Sequence, residues 1–313
     1  MNEPRSTRRL MQGTVLSGTG GVWRVLGADG ATYECTLRGR LKQGDLKLAV
    51  GDDVELERSE RGEGLAIATI RPRRSKLARR APGAGHGERI VAANVDQVVV
   101  VFALVKPVPH TRMLDRFLVI AEANELAARI VVNKVDLASE GEAETMFADH
   151  VRAGYPVHLT STKEGGRGLQ ALHDALQGRT SALTGPSGVG KSSLMNALYP
   201  GLKLRVGEIS ESVNKGRHTT VGALLHPLPD GGFVADTPGL REIGLWGLDP
   251  SRLAECFPEF RPLTPLCRFA DCTHTVEPGC AVLEAITLGE VSATRHESYA
   301  KLREELEEAA RLW

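Results

Sequence analysis

From residue 11 to residue 70, short runs that mix β-branched and polar residues alternate with glycine-centred breaks. The stretches 11–17, 21–26, 32–37, 53–57 and 65–70 read as five short strands, punctuated by Gly-Gly, Asp-Gly and Gly-Asp pairs. Five strands in some sixty residues predict a small barrel, an OB-fold or an SH3-like barrel. A Gly/Pro/Arg-rich stretch over 71–89 then reads as an exposed connector. Beyond it the period changes. Residues 98–104 and 129–132 are continuous apolar runs of the kind a buried parallel strand makes, with a helical pattern over 112–128 between them. Strand-like 156–160, helical 169–177 and strand-like 181–184, 223–228 and 233–235 continue the alternation, which predicts an open α/β sheet. From about residue 246 the chain turns Pro- and Cys-rich up to Cys280 and closes on a helix. In that helix Tyr299, Leu302, Leu306, Ala310 and Trp313 share one face, expected to dock on its own domain, with Lys301/Glu305 and Glu307/Arg311 as surface pairs.

The longest apolar run, 98–105, has eight residues, too few to cross a bilayer, and the charged N-terminus lacks the apolar segment of a secretory signal. Five cysteines, three of them within fourteen residues, argue against a disulfide framework and for a cytoplasmic protein with one local metal site. The formal net charge is zero, but residues 1–90 hold 17 Lys+Arg against 11 Asp+Glu, leaving 22 against 28 for the rest. Six of those positive charges fall within 71–80 without an acid, which suggests either a polyanionic partner or a solvated loop.

Gly185-Pro186-Ser187-Gly188-Val189-Gly190-Lys191-Ser192 has the spacing GxxxxGKS, after a predicted strand and opening a predicted helix that continues through Ser193. Its backbone N–H groups would cradle a β-phosphate at the helix N-terminus, with Lys191 on the β- and γ-phosphates and Ser192 on Mg²⁺. Asn133-Lys134-Val135-Asp136 selects the base: the Asp136 carboxylate can accept from both N1–H and the exocyclic amine of guanine, a donor pair that adenine lacks. Ser161, within Thr160-Ser161-Thr162 at the end of the next strand, is a further contact to the base. Asp236-Thr-Pro-Gly239 ends another strand, with Asp236 directed at Mg²⁺ and the Gly239 N–H at the γ-phosphate. Gly216-Arg-His-Thr-Thr220 reads as the second switch segment, Thr220 being preferred over Thr219 as the Mg²⁺ ligand on position alone. Leu240 stands where many GTPases place the water-orienting Gln, so slow intrinsic turnover is expected; His218 or a group supplied by a partner would orient the water.

Base-reading elements precede the phosphate loop here, so the sheet must be circularly permuted. Closing it in the natural order predicts the strand 98–104 beside 233–235, with both chain breaks just beyond the Asp236–Gly239 switch. Finally, Cys267-x4-Cys272-x-His274-x5-Cys280 supplies three thiolates and one imidazole, enough for one closed, structural Zn²⁺ site. Cys35 and Cys256 read as small core residues.

These motifs in this order resemble the ribosome small subunit-dependent GTPase A (RsgA, or YjeQ) family over nearly the whole chain. The resemblance implies an α/β fold: an OB-fold barrel (1–72), a basic connector (73–92), a circularly permuted P-loop GTPase domain (93–245) and a zinc-binding helical domain (246–313). It also implies a monomer that binds GTP/GDP, the small ribosomal subunit and 16S rRNA and no membrane, with hydrolysis stimulated by the subunit and driving release late in its maturation. Two other readings stand beside it: a GTP-dependent enzyme acting on a small molecule, and a zinc-dependent RNA-binding scaffold whose nucleotide site is structural.

Overall fold

The computed structural model describes residues 10–42, 47–58, 64–80, 88–202, 204, 223–236 and 248–311. Five strands, β1 (Met11–Thr19), β2 (Val22–Gly27), β3 (Thr32–Leu37), β4 (Asp53–Arg58) and β5 (Leu65–Ile70), close into a barrel in the order β1-β2-β3-β5-β4, with a helical turn α1 (Gly39–Lys42) after β3. The β3–β5 pair is parallel and the remaining pairs antiparallel, the OB-like alternative of the two barrels. Alternation puts Val15, Val25, Cys35, Val54, Leu56 and Ile67 inside.

The stretch expected to be a bare connector is instead structured. Residues 76–80 (β6) and 88–93 (β7) pair antiparallel as a two-stranded sheet. Three basic residues of the stretch, Arg73, Arg74 and Lys76, are engaged by acids. Arg73 makes a two-pronged bond to the fully buried Asp52 (Nε–Oδ1 2.6 Å, Nη2–Oδ2 2.8 Å), Arg74 pairs with Asp96 at 2.8 Å, and Lys76 with Glu88 at 2.6 Å. Composition suggested exposure because every one of these acids lies at least 12 positions away in sequence.

The second sheet runs β10-β9-β8-β11-β13-β12, built from β8 (Gln97–Ala103), β9 (Ala127–Asn133), β10 (Val157–Leu159), β11 (Thr180–Thr184), β12 (Leu224–Pro227) and β13 (Phe233–Asp236). All neighbours are parallel except β12–β13. The expected pairing of 98–104 with 233–235 is therefore incorrect: β11 lies between β8 and β13 and bonds to both. Strands buried on both faces carry no mark of which neighbour they take; all seven residues of β8 and all five of β11 are buried.

Alternate residues of the strands feed two cores. One face packs Val99, Val101, Val131 and Leu183 against α4 (Leu169–Leu176) and α5 (Lys191–Leu198). The other packs Val98, Val100, Phe102, Ile130 and Val132 against α2 (Thr111–Ala123) and α3 (Glu142–Arg152). Helix α2 ends five residues short of the expected 128: Asn124 Nδ2 donates to the Ile120 carbonyl, Glu125 turns to φ +56°, and β9 starts at Ala127 opposite Gln97. The alanines 127 and 128 suit a helix locally, but pairing with β8 overrides that preference.

The C-terminal unit comprises 3₁₀ turns at Pro250–Cys256 and Thr264–Leu266 and helices α6 (Ala281–Thr287) and α7 (Ala293–Arg311). Its core is continuous with the α2/α3 face of the sheet, so α7 docks on α2 as well as on its own unit. Tyr299, Leu302 and Leu306 are buried as expected, whereas Ala310 is exposed and Trp313 lies outside the described residues. The surface pairs differ too. Glu305 reaches across to Arg116 of α2, Lys301 pairs with Glu304, and Glu307 with Arg303. Cys35 and Cys256 are buried core residues.

Candidate functional site

Because β8, β9, β10, β11 and β13 run parallel, the residues at their carboxyl ends share one edge. That edge carries Asn133, Thr160, Thr184 with the loop 185–190, and Asp236, as expected for a ligand site of an open α/β sheet. Gly185 (φ +132°) lies so close to the neighbouring strand that a Cβ would stand 2.0 Å from the Val101 carbonyl oxygen. Gly190 (φ +92°) enters α5, and a Cβ there would meet Asn133 Nδ2 at 2.6 Å. Only glycine fits either position. The loop thus turns sharply into the first N–H groups of a helix, which point into the concavity. Lys191 folds back over it, its ammonium donating to the Gly185 carbonyl at 3.0 Å and the Pro186 carbonyl at 2.8 Å. Ser192 is buried, Ser193 half-buried, and Ser187 and Gly188 exposed.

The residues expected to read the base also brace this loop. Asn133 Nδ2 donates to the Val189 carbonyl at 2.9 Å, and Lys134 Nζ donates to the Gly188 carbonyl at 2.6 Å. Asp136, exposed and carboxyl-first at the edge, accepts from the Ser161 hydroxyl at 2.5 Å, and Ser161 in turn accepts from the Lys163 N–H at 3.1 Å. Ser161 therefore holds the Asp136 carboxylate in place at this edge. Sequence reading missed one participant: Lys134 also bonds the Lys106 carbonyl at 2.5 Å, which ties in the loop after β8. The signal was available, since 104–109 is a Pro-rich turn leaving a central strand at the same edge. Val135 is buried under the turn. The expectations on His218, Thr219, Thr220, Gly239 and Leu240 lie outside the described residues.

Some distance along the chain, Cys267, Cys272, His274 and Cys280 bring their ligand atoms within 4.8 Å of one another. Cys267 Sγ lies 3.9 Å from Cys280 Sγ, and His274 Nδ1 lies 3.5 Å from each. Tetrahedral bonds of about 2.3 Å to sulfur and about 2.0–2.1 Å to nitrogen separate two sulfurs by about 3.8 Å and sulfur from nitrogen by about 3.5 Å. The four residues are placed to hold a metal ion. Burial, then crowding by Cys280 and Cys267, pushes the Cys272 thiol up to about 12, a penalty that a bound dication removes. Glu277 shapes the loop by accepting from the N–H groups of Thr273 (2.8 Å), Thr275 (3.0 Å) and Val276 (3.1 Å). Slight burial works against its charge, but the Thr273 hydroxyl and these N–H groups outweigh it and hold the carboxyl at about 2. His296 Nε2 donates to the His274 carbonyl at 2.7 Å, and the Tyr299 hydroxyl to that of Thr273 at 2.8 Å, anchoring the metal loop to α7.

Residues 70–246 match the family model of the RsgA GTPase, and residues 12–66 that of the RsgA N-terminal domain. The chain belongs to the RsgA GTPase family. Among RsgA proteins, the "Small ribosomal subunit biogenesis GTPase RsgA" of Gemmatimonas aurantiaca is 63% identical over 298 residues, covering 94% of this chain and 97% of the relative. That of Moorella thermoacetica is 42% identical over 289 residues, covering 92% and 95%. In three dimensions the chain resembles YjeQ from Thermotoga maritima (TM-score 0.79, 35% identity, 95% and 98% covered). It also resembles YloQ, described as a circularly permuted GTPase (TM-score 0.75, 29% identity, 98% and 99% covered). The RsgA fold with its permuted strand order is thus shared over nearly the whole length, and membership marks the chain as a GTP hydrolase.

Proposed function

We propose that this protein is a monomeric cytoplasmic GTPase that assists late maturation of the small (30S) ribosomal subunit, binding the particle and its 16S rRNA and leaving on hydrolysis. The observation that carries the reading is the convergence of a base-reading loop, a phosphate loop and Asp236 on one sheet edge, in a chain that also bears an OB-like barrel and whose relatives are named for subunit biogenesis. Asn133–Asp136 and Ser161 bind the guanine; 185–193, Asp236 and Gly239 bind the phosphates. Lys191 neutralises charge on the β- and γ-oxygens. Ser192, Thr220 and Asp236 hold Mg²⁺, which when bound draws negative charge off the same oxygens. His218 orients the attacking water, since Leu240 cannot. One structural zinc ion occupies the Cys₃His set, its closed coordination leaving no position for substrate. The barrel and the residual basic surface beside it face RNA, but Arg73, committed to Asp52, is not among the contacts.

The test is GTP hydrolysis with and without isolated small or large subunits at fixed low salt. Stimulation by small subunits alone is expected, and its loss in His218→Ala. Equal fast rates with and without particles, or slow rates in every mixture, would sink the reading; an unchanged stimulated rate in His218→Ala would remove only that residue's role. Asp136→Asn should weaken GTP binding by roughly 10–100-fold, because one charge-assisted acceptor pair is lost. Undiminished guanine preference in competition with ATP would contradict the base-reading assignment.

A further inference from the structure

Away from the nucleotide edge, toward the amino ends of the strands, two arginines converge on one buried amide and a histidine joins one of them. Gln97 is 1% exposed, and its amide is oriented by Nε2 donating to the Ala175 carbonyl at 2.8 Å and to Ser181 Oγ at 2.9 Å. Its Oε1 then accepts from Arg129 Nε at 3.2 Å and from Arg179 Nη1 at 3.5 Å. Arg129 Nη1 lies 2.9 Å from His158 Nε2. Since a guanidinium can only donate, His158 accepts there as a neutral ring and carries its proton on Nδ1. Register puts the group together: Arg129 stands opposite Val99, His158 opposite Val131, and Gln97 opposite Ser181, all on the α4 side of the sheet.

Among the described residues no carboxylate pairs with Arg129, Arg179 or His158, although the arginines of the interior elsewhere are matched to acids, Arg73 to Asp52 and Arg295 to Asp115 and Glu259. Two like charges held on one oxygen repel, and beyond the bonds to Gln97 and His158 the guanidinium donors meet no acceptor among the described residues. Burial first, and the neighbouring Arg179 second, make Arg129 harder to keep protonated; burial and then Arg129 do the same to His158. Two guanidiniums held on one oxygen with donors to spare are the arrangement that an oxyanion completes, and its charge would favour protonation of the adjoining His158 ring.

We propose that Arg129, Arg179 and His158 form a second anion site, separate from the phosphate loop, that takes a phosphate group. The group arrives either as a phosphodiester of an RNA strand or as a small free phosphate. Arg129 and His158, half-buried, form its floor, and the exposed Arg179 its rim.

The readout is the His158 imidazole C2–H resonance, assigned by its loss in His158→Gln. It is followed while the full-length, GDP-saturated protein is titrated with inorganic phosphate, or with a single-stranded RNA oligonucleotide lacking terminal phosphates, at constant ionic strength against chloride. Saturable movement with a rise in the His158 pKa is expected in the wild type, at least tenfold weaker in Arg129→Gln and in the surface variant Arg179→Gln. Response to RNA at lower concentration identifies the phosphodiester, and response to phosphate alone the small anion. A resonance that follows ionic strength only, or equal responses in wild type and both variants, overturns the proposal. The Arg179→Gln arm keeps the test valid if Arg129→Gln fails to fold.

Discussion

Extraction of the metal by a chelator at neutral pH is expected to disorder the segment 264–280 while the sheet stays folded. Between Cys267 and Cys280 the chain has almost no core of its own. Val276 is 84% exposed and Phe269 40%, and the turn is organised by Glu277 rather than by apolar packing. Metal binding is therefore the main term opposing the backbone entropy of those residues, and structural zinc supplies about 10–16 kcal/mol in small zinc-binding peptides. Hydrogen exchange should show protection lost over 264–280 and retained in β8, β9 and β11, one face of which packs on α4 and α5 in a core that holds none of the four cluster residues. Cys272→Ser should reproduce the effect in part. Unaltered protection after metal loss, verified by native mass spectrometry, would show that the loop is self-supporting.

The second large effect is expected from Arg295→Met. Arg295 is 2% exposed and ties the C-terminal unit to the sheet helices. Its Nη1 bonds Asp115 Oδ1 of α2 at 2.5 Å, and Nε and Nη2 bond the Glu259 carboxylate at 2.7 and 3.0 Å, while the guanidinium lies over the Phe257 ring at 4.8 Å. His150 Nε2 of α3 meets the same Asp115 oxygen at 2.9 Å. Methionine keeps the apolar bulk but strands two carboxylates, so a loss of about 3–5 kcal/mol is expected in chemical denaturation. The pH dependence gives the sign. Burial opposes the charge of Asp115, but the His150 bond and the Arg295 charge prevail, so its carboxyl sits below the ordinary value. That contribution is present above the unfolded carboxylate pKa and is lost as pH falls through the lowered folded one. The deficit of the variant should therefore be full near neutrality and shrink as pH falls below about 4. A deficit independent of pH would mean that packing, not charge, was removed.

Much of this architecture was legible because local chemistry and fold agree. The barrel strands stand within two residues of their expected positions, since glycine pairs end them, and GxxxxGKS and NKVD lie at strand ends because their backbone requirements are local. What escaped depended on distant partners. Helix α3 was missed: its first turn is acidic, and only Ala143, Phe147 and His150 mark its buried face. Arg73 looked exposed until Asp52, 21 positions earlier, was placed beside it. The neighbour of β8 could not be read from its six consecutive apolar residues after Gln97, any of which would suit either side of a buried sheet.

The permuted order also sets a timetable for synthesis. Gln97 and Ser181, side by side at the centre of the sheet, are 84 residues apart in the chain. At 5–20 residues per second the ribosome needs roughly 4–17 s to pass from one to the other. During that interval β8, β9 and β10 can already pair, since their helices and connections are complete by residue 160. One edge of β8, apolar beyond Gln97 and destined for the middle of the finished sheet, meanwhile waits for β11 with its backbone groups unpaired. The nascent chain is thus most exposed to mispairing while the half that carries Asn133–Asp136 is formed and the strand that leads into the loop 185–190 has yet to be made.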